Sequence, residues 1–167
     1  MSLVLVTERL RVEHLVLNDA GFILDLVNQP DWKTYIGDKN VETLQAAEAY
    51  LLQGPINSYS ENDFGLYKLS LRENIPIGMV GLVRRPGLDT PDLGYALLPD
   101  YYGQGYVTEA AKDLLDFESK RLDLTTIAAL TVPGHRRSHR VLERLGFQAL
   151  GQKEVNQQLS DYFEWKS

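Results

Sequence analysis

The sequence of 167 residues contains no cysteine. That excludes disulfides, a thiol nucleophile supplied by the protein, and thiolate metal sites. Histidine is scarce too, with His14, His135 and His139 the only three, so a three-histidine zinc site is not expected and no metal is assigned. No stretch approaches the roughly 18 apolar residues of a membrane-spanning helix. The apolar run Leu3–Val6 is short and lacks a basic leader before Thr7-Glu8-Arg9, so it does not read as a signal peptide. The expectation is a soluble, cytoplasmic protein with no membrane partner. Positive charge is in deficit: 17 Lys and Arg stand against 23 Asp and Glu, a net charge of −6. That balance argues against bulk binding of nucleic-acid phosphates and is compatible with a basic partner. Low-complexity tracts and fixed-period repeats are absent from the sequence as well, and the length suits one domain spanning 1–167.

What is present is an alternation of strand and helix patterns. Residues 3–6 and 10–17 read as extended. Asn18-Asp19 offers a helix cap before Phe22, Ile23, Leu26 and Val27, and Pro30 is expected to close that helix. Asn40 is expected to cap a second helix carrying Leu44, Ala47 and Leu51, ended by Gly54-Pro55, with a polar linker over 57–62. Three strands follow, over 64–71, 75–83 and 92–98, the first two joined by a turn at Glu73-Asn74. Gly78 and Gly81 mark a bulge or a close backbone approach. A helix after Tyr106 places Val107, Ala110, Ala111, Leu114 and Leu115 on one face. Then come a strand over 123–131, a short helix from about Ser138 to a C-cap at Gly146, and a late hairpin over 147–153 and 159–165. The order predicts a mixed α/β domain without repeated βαβ units.

Two segments carry chemistry. Gly103-Gln104-Gly105 sits between a strand and a helix. A helix start leaves its first N–H groups without partners, glycines let the backbone curl near a ligand, and the helix dipole adds positive charge, so the turn can hold a phosphate or pyrophosphate. Neither the Gly-Lys-Ser/Thr nucleotide loop nor the dinucleotide fingerprint is there, and a tight strand-to-helix turn with no ligand is the alternative. The second segment, His135-Arg136-Arg137-Ser138-His139-Arg140, is the most basic stretch of an acidic chain. Arginines so placed can meet phosphates, or simply form a solvated helix face.

Together these segments resemble the GNAT acyltransferase superfamily, and within it the branch of ribosomal-protein N-terminal acetyltransferases. Thr7-Glu8-Arg9-Leu10-Arg11 is similar to the branch's opening strand. Leu93 to Ala110, through Asp100-Tyr101-Tyr102-Gly103-Gln104-Gly105-Tyr106-Val107, is similar to its central strand, pyrophosphate turn and helix. Ser138 to Phe147 is similar to its late helix ending in Leu-Gly-Phe, although His135 stands where the branch normally has Asn. The resemblance implies a single-domain GNAT-like fold, a mixed central sheet with splayed central strands flanked by helices. It implies acetyl-CoA as cosubstrate, bound by Leu97, Leu98, Tyr102, Gly103, Gln104, Gly105, Tyr106, Val107, His135, Arg137 and Arg140, with Arg136 also near its nucleotide phosphates. An amine attacks the thioester directly.

Ser138 is implied as the group that meets the departing sulfur, or else it is the helix N-cap. Asp92 is either a proton relay or a solvated carboxylate at a hairpin end. Tyr95 lines the cleft or packs in the core. His139 is expected at solvent or on the coenzyme, and Glu109 to favour the helix dipole. Trp32 and Tyr35 either wall the acceptor site or pack between helices. The acceptor is a primary amine, on a small molecule or a protein N-terminus. A non-catalytic acyl-CoA-binding module on the same fold is the alternative. Dimers are common in the branch, so a homodimer is compatible. The basic patch in an acidic chain fits a polyanionic cosubstrate at one place and a cationic amine at another.

Overall fold

The computed structural model describes residues 2–167. Strands β1 (Leu3–Val6) and β2 (Leu10–Glu13) are followed by helices α1 (Ala20–Val27), α2 (Pro30–Tyr35), α3 (Leu44–Leu51) and α4 (Asn57–Asn62). Then come β3 (Leu66–Leu71), β4 (Pro76–Val83), β5 (Asp92–Leu97), α5 (Tyr106–Arg121), β6 (Thr126–Thr131), α6 (Arg136–Leu145), β7 (Gln148–Val155) and β8 (Gln158–Lys166). All eight strands form one mixed sheet in the order β1-β2-β3-β4-β5-β6-β8-β7. Among the described residues, no helix is long and apolar enough to cross a membrane.

The first helical region departs from expectation. Pro30 starts α2 instead of only closing α1: at the first helical position its missing N–H costs nothing and its fixed φ suits the helix. Thr43, not Asn40, caps α3, its hydroxyl accepting from the Ala46 N–H at 3.1 Å. Asn40 instead adopts positive φ. Gly54-Pro55 does not end the helix. It lies in a π-helical turn, Leu52–Ile56, whose wider winding accommodates the missing proline donor, and the chain runs on as α4 where a linker was expected. α6 begins at Arg136, two residues earlier than expected.

The two faces of the sheet are covered differently. On one, α5 and α6 bury Leu114, Leu115 and Leu142 against Ile77, Val80, Leu93, Ile127 and Ala129. All five apolar positions of α5 read from the sequence are buried, and each such leucine contributes roughly 1.5–3 kcal/mol. On the other face, α1 to α3 pack on Met79, Ala96 and Leu98, while Leu88 and Val155 cover Ala128. The β4 glycines permit close backbone contact: a Cβ at Gly78 would lie 2.1 Å from the Ala96 carbonyl oxygen, and one at Gly81 would lie 2.1 Å from that of Gly65.

β5 and β6 are the one parallel pair among the described residues, and they are in register at a single point, Asp92 opposite Ala128. Ala128 N–H donates to the Pro91 carbonyl at 2.9 Å, and beyond it the strands part. The gap opens toward the turn that starts α5.

Candidate active site

The gap lies in a cleft of about 860 Å³, a size suited to a small-molecule site. Its coenzyme side begins at the turn. Gly103 and Gly105 have φ of +74° and +79°, a region that glycine enters freely and other residues do not. Gly105 caps α5 without help from its side of the chain, and the first return bond of the helix runs from Glu109 N–H to the Gly105 carbonyl. The N–H groups of residues 103–108 therefore meet no acceptor among the described residues. Six consecutive free amides at a dipole's positive end form a ready cradle for a pyrophosphate.

The connection between β1 and β2 holds this turn from outside. Arg9 Nη2 donates to the Gln104 carbonyl at 3.1 Å, and Arg9 Nε donates to Glu109 at 2.7 Å. Thr7 Oγ1 donates to the same carboxylate at 2.5 Å, as does the Arg9 N–H at 3.0 Å. Burial alone would raise the Glu109 pKa, but the bonds from Thr7 and Arg9 outweigh it and hold the carboxyl below its ordinary value. Glu109 is thus a clamp, a role that the helix-dipole reading missed because its partners lie about a hundred residues away in sequence.

The sequence-predicted residues fall into distinct groups. Leu97, Tyr102, Gly103, Gly105, Tyr106, Val107, His135, Arg137 and Arg140 all line the cleft, together with Arg144. Leu98 and Gln104 do not. The Leu98 N–H is already bonded to the Ile77 carbonyl at 2.8 Å, and its side chain packs on the opposite face. Gln104 turns its side chain back to the Asp100 carbonyl. Arg136 lies outside the cleft as well. His139 is half-buried and does not line the cleft. Its Nε2 sits 3.0 Å from Thr131 Oγ1 and 2.9 Å from Asp161, joining α6 to β6 and β8.

At the mouth, α2 reaches across to α6. Tyr35 stacks on His135 with ring centroids 3.7 Å apart, and Arg137 pairs with Asp31 at 2.8 Å while lying 4.3 Å over Tyr102. Burial, aided by the Arg137 charge, lowers the His135 pKa and favours the neutral ring. Trp32 packs in the helical core, buried among residues of α1 and α3.

Strand alternation divides the remaining candidates between the faces. Tyr95 points to the α5–α6 side, where its hydroxyl lies 2.5 Å from Ser138 Oγ. Burial pushes the Tyr95 pKa up to about 12, partly offset by Ser138 and Arg137. Ser138 is not the N-cap; His135 holds that position, and Ser138 stands buried in the first turn. Asp92 belongs to the other face. It is not solvated but 1% exposed, with both oxygens 3.0 Å from Arg85 Nε. Burial raises its pKa and Arg85 only partly offsets this.

Residues 9–148 match the family described as the acetyltransferase (GNAT) domain. The chain belongs to the GNAT family of acetyltransferases, whose cosubstrate is acetyl-coenzyme A. It is similar to the N-acetyltransferase YnaD of Bacillus subtilis (strain 168), with 25% identity over 146 residues, covering 87% of this chain and 82% of that one. Among solved structures, an acetyltransferase from Agrobacterium tumefaciens superposes with TM-score 0.84 at 23% identity, covering 100% of this chain and 95% of the other. The ribosomal L7/L12 α-N-protein acetyltransferase RimL, in complex with coenzyme A, gives TM-score 0.85 at 14% identity, covering 99% and 98% of the two chains. At those identities the likeness is one of fold.

Proposed function

We propose that the protein moves the acetyl group of acetyl-coenzyme A directly to a primary amine, on a small molecule or a protein N-terminus, in the cytoplasm. The observation that carries this reading is the row of free amides at residues 103–108, opening onto the same cleft as the parted β5 and β6. Bound there, the coenzyme supplies an activated thioester. The amides of the turn and the guanidinium groups of Arg137, Arg140 and Arg144 receive its phosphates. The amine arrives as an ammonium, which has no lone pair to attack with. Asp92, on the opposite face, takes that proton, directly or through a water. A carboxylate whose pKa is raised by burial is a stronger base than an ordinary one. As the C–N bond forms and the C–S bond breaks, the nitrogen gives up its second proton and the sulfur leaves as the thiol, with Ser138 Oγ donating a hydrogen bond to it while it departs, oriented by the Tyr95 hydroxyl. The high pKa of Tyr95 keeps that hydroxyl protonated at neutral pH.

The test is thiol release from acetyl-coenzyme A with a panel of small amines and N-terminal peptides, products being read by mass spectrometry. Amine-dependent release with an acetylated product is expected. Coenzyme binding with no release for any acceptor would overturn the reading.

A further inference from the structure

The chain is acidic, at −6 overall, but its cleft is not. Two lining residues carry acid groups, Asp31 and Asp92, against Lys39, Arg84, Arg85, Arg137, Arg140 and Arg144. Both carboxylates already face a guanidinium, at 2.8 Å and 3.0 Å. The surplus is positive, and it divides between two places. Arg137, Arg140 and Arg144 belong to α6, beside the coenzyme cradle. Arg84 and Arg85 directly follow β4 and stand by Asp92 at the first residue of β5, whereas the amide turn follows the last. At about 3.3 Å per residue, β5 sets these two places roughly 17 Å apart. With the coenzyme phosphates on the turn, Arg84 is left without an anion and Arg85 with Asp92 alone.

Arg84 is unmatched locally, and Arg85 is matched only in part. The Arg84 guanidinium rests 5.8 Å over the Phe64 ring and has no acidic partner or hydrogen-bond acceptor among the described residues. Arg85 meets Asp92 through Nε alone, which leaves its terminal nitrogens free. A third donor lines the same cleft: Trp32 is 5% exposed and its indole Nε1–H is buried without an acceptor among the described residues. A buried donor left without a partner costs about 1–3 kcal/mol unless a ligand supplies one. The β7–β8 side adds Asn156, Gln158 and Ser160, none of them charged. The acceptor face thus offers one carboxylate beside an excess of donors and positive charge.

We infer that the acceptor is a primary amine that also carries an anionic group, a carboxylate or phosphate. Arg84 and the free terminal nitrogens of Arg85 receive the anion, and Asp92 meets the ammonium. The inference rests on the acetyl-transfer reading and names its substrate class. It replaces the purely cationic acceptor expected from the overall charge: a diamine would set its second ammonium against Arg84, with no free carboxylate to meet it.

The experiment measures kcat/KM for the full chain with acetyl-coenzyme A and acceptors of matched length: an aminocarboxylate, an aminoalkyl phosphate, an amino alcohol and a diamine. Two peptides differing only in an acidic or a basic second residue form the other arm, which separates a small anionic amine from an acidic N-terminus. One charge-assisted bond implies a preference of about 10- to 100-fold for the anionic acceptors over the amino alcohol. Arg84→Gln should pull that ratio toward one, with coenzyme A affinity by calorimetry unchanged. Amino alcohol or diamine turnover equal to that of the anionic acceptors overturns the inference and leaves acetyl transfer standing. A preference that survives Arg84→Gln overturns the role of Arg84. No thiol release with any acceptor, despite coenzyme binding, sinks acetyl transfer itself and this inference with it.

Discussion

In the proposed reaction, the two faces of the parted strands would meet their ligands by different means. At the turn the proposed coenzyme face is backbone, six free amides and two glycines at positive φ, flanked by the hydroxyl pair of Ser138 with Tyr95 and by Arg137, Arg140 and Arg144 of α6. The proposed acceptor side of the cleft is made of side chains: Asp92, Arg85, Arg84 and Trp32. Backbone donors cannot change with sequence, so they suit a ligand that every relative shares. Side chains on a loop after β4 can change freely, so they suit the ligand that distinguishes one relative from another. The division predicts that mutations on the acceptor side alter turnover and leave coenzyme affinity unchanged, that mutations of the glycine turn alter coenzyme affinity, and that the Ser138–Tyr95 pair acts on kcat.

The largest effect is expected from Asp92→Asn, which removes the proposed base while keeping the shape. It should lower kcat/KM by about 10²- to 10⁴-fold with coenzyme affinity unchanged. The wild-type rate should rise with pH through a value above the ordinary carboxylate range, since burial raises the Asp92 pKa, and that limb should vanish in the variant. Stability carries the opposite sign: a raised folded pKa means that the folded state holds its proton longer. The contribution is therefore complete below the unfolded pKa and is lost as pH rises through the folded one.

Gly105→Val comes next. At φ +79° a β-branched residue is strained by about 1–3 kcal/mol, which should weaken coenzyme A binding by roughly 10- to 100-fold in calorimetry. Space is not the cause, because the nearest atom to a Cβ there is Arg9 Nη2 at 3.6 Å. Ser138→Ala should lower kcat about tenfold, one hydrogen bond's worth. Because Tyr95 acts through Ser138, adding Tyr95→Phe should cost little more, whereas Asp92→Asn combined with Ser138→Ala should be additive. Additivity within the Ser138–Tyr95 pair would break the assignment of one unit to the coenzyme face.

The same division decides what could be read from the chain. The turn and α5 were legible because glycine spacing and a 3.6-residue apolar period are local signals. The α5 apolar face, the Gly146 cap and the late hairpin all follow from neighbours within a few residues. Pro30 and Gly54-Pro55 misled because proline is compatible with both a helix end and a helix start, and because a π turn absorbs the missing donor. His139 was misplaced because its partners, Thr131 and Asp161, come from two other strands. Asp92 reads as a solvated carboxylate until the loop returns Arg85 to it and both become part of a wall. Nothing in the spacing of Arg84, Trp32 and Asp92 announces one cleft, since α2, the end of β4 and the start of β5 come together only in the folded chain.

Glu109→Gln gives the smallest effect and the sharpest boundary between the faces. The carboxylate receives Thr7 Oγ1, Arg9 N–H and Arg9 Nε, and the amide in the variant keeps a carbonyl for only part of that set. Arg9 is partly exposed, so the charge itself is screened and the loss near neutral pH should be about 1 kcal/mol. The Glu109 pKa is depressed by those bonds. Its stabilisation is present above the unfolded pKa and disappears as pH falls through the folded one, so the two proteins' melting temperatures should converge in acid. Coenzyme A affinity should drop only about two- to threefold, well under one hydrogen bond's worth, because the amides are set by the glycine turn and Arg9 still reaches the Gln104 carbonyl. A loss as large as that of Gly105→Val would mean that the cradle is held open by Thr7 and Arg9 from the β1–β2 connection, and the contrast between a backbone face and a side-chain face would fail.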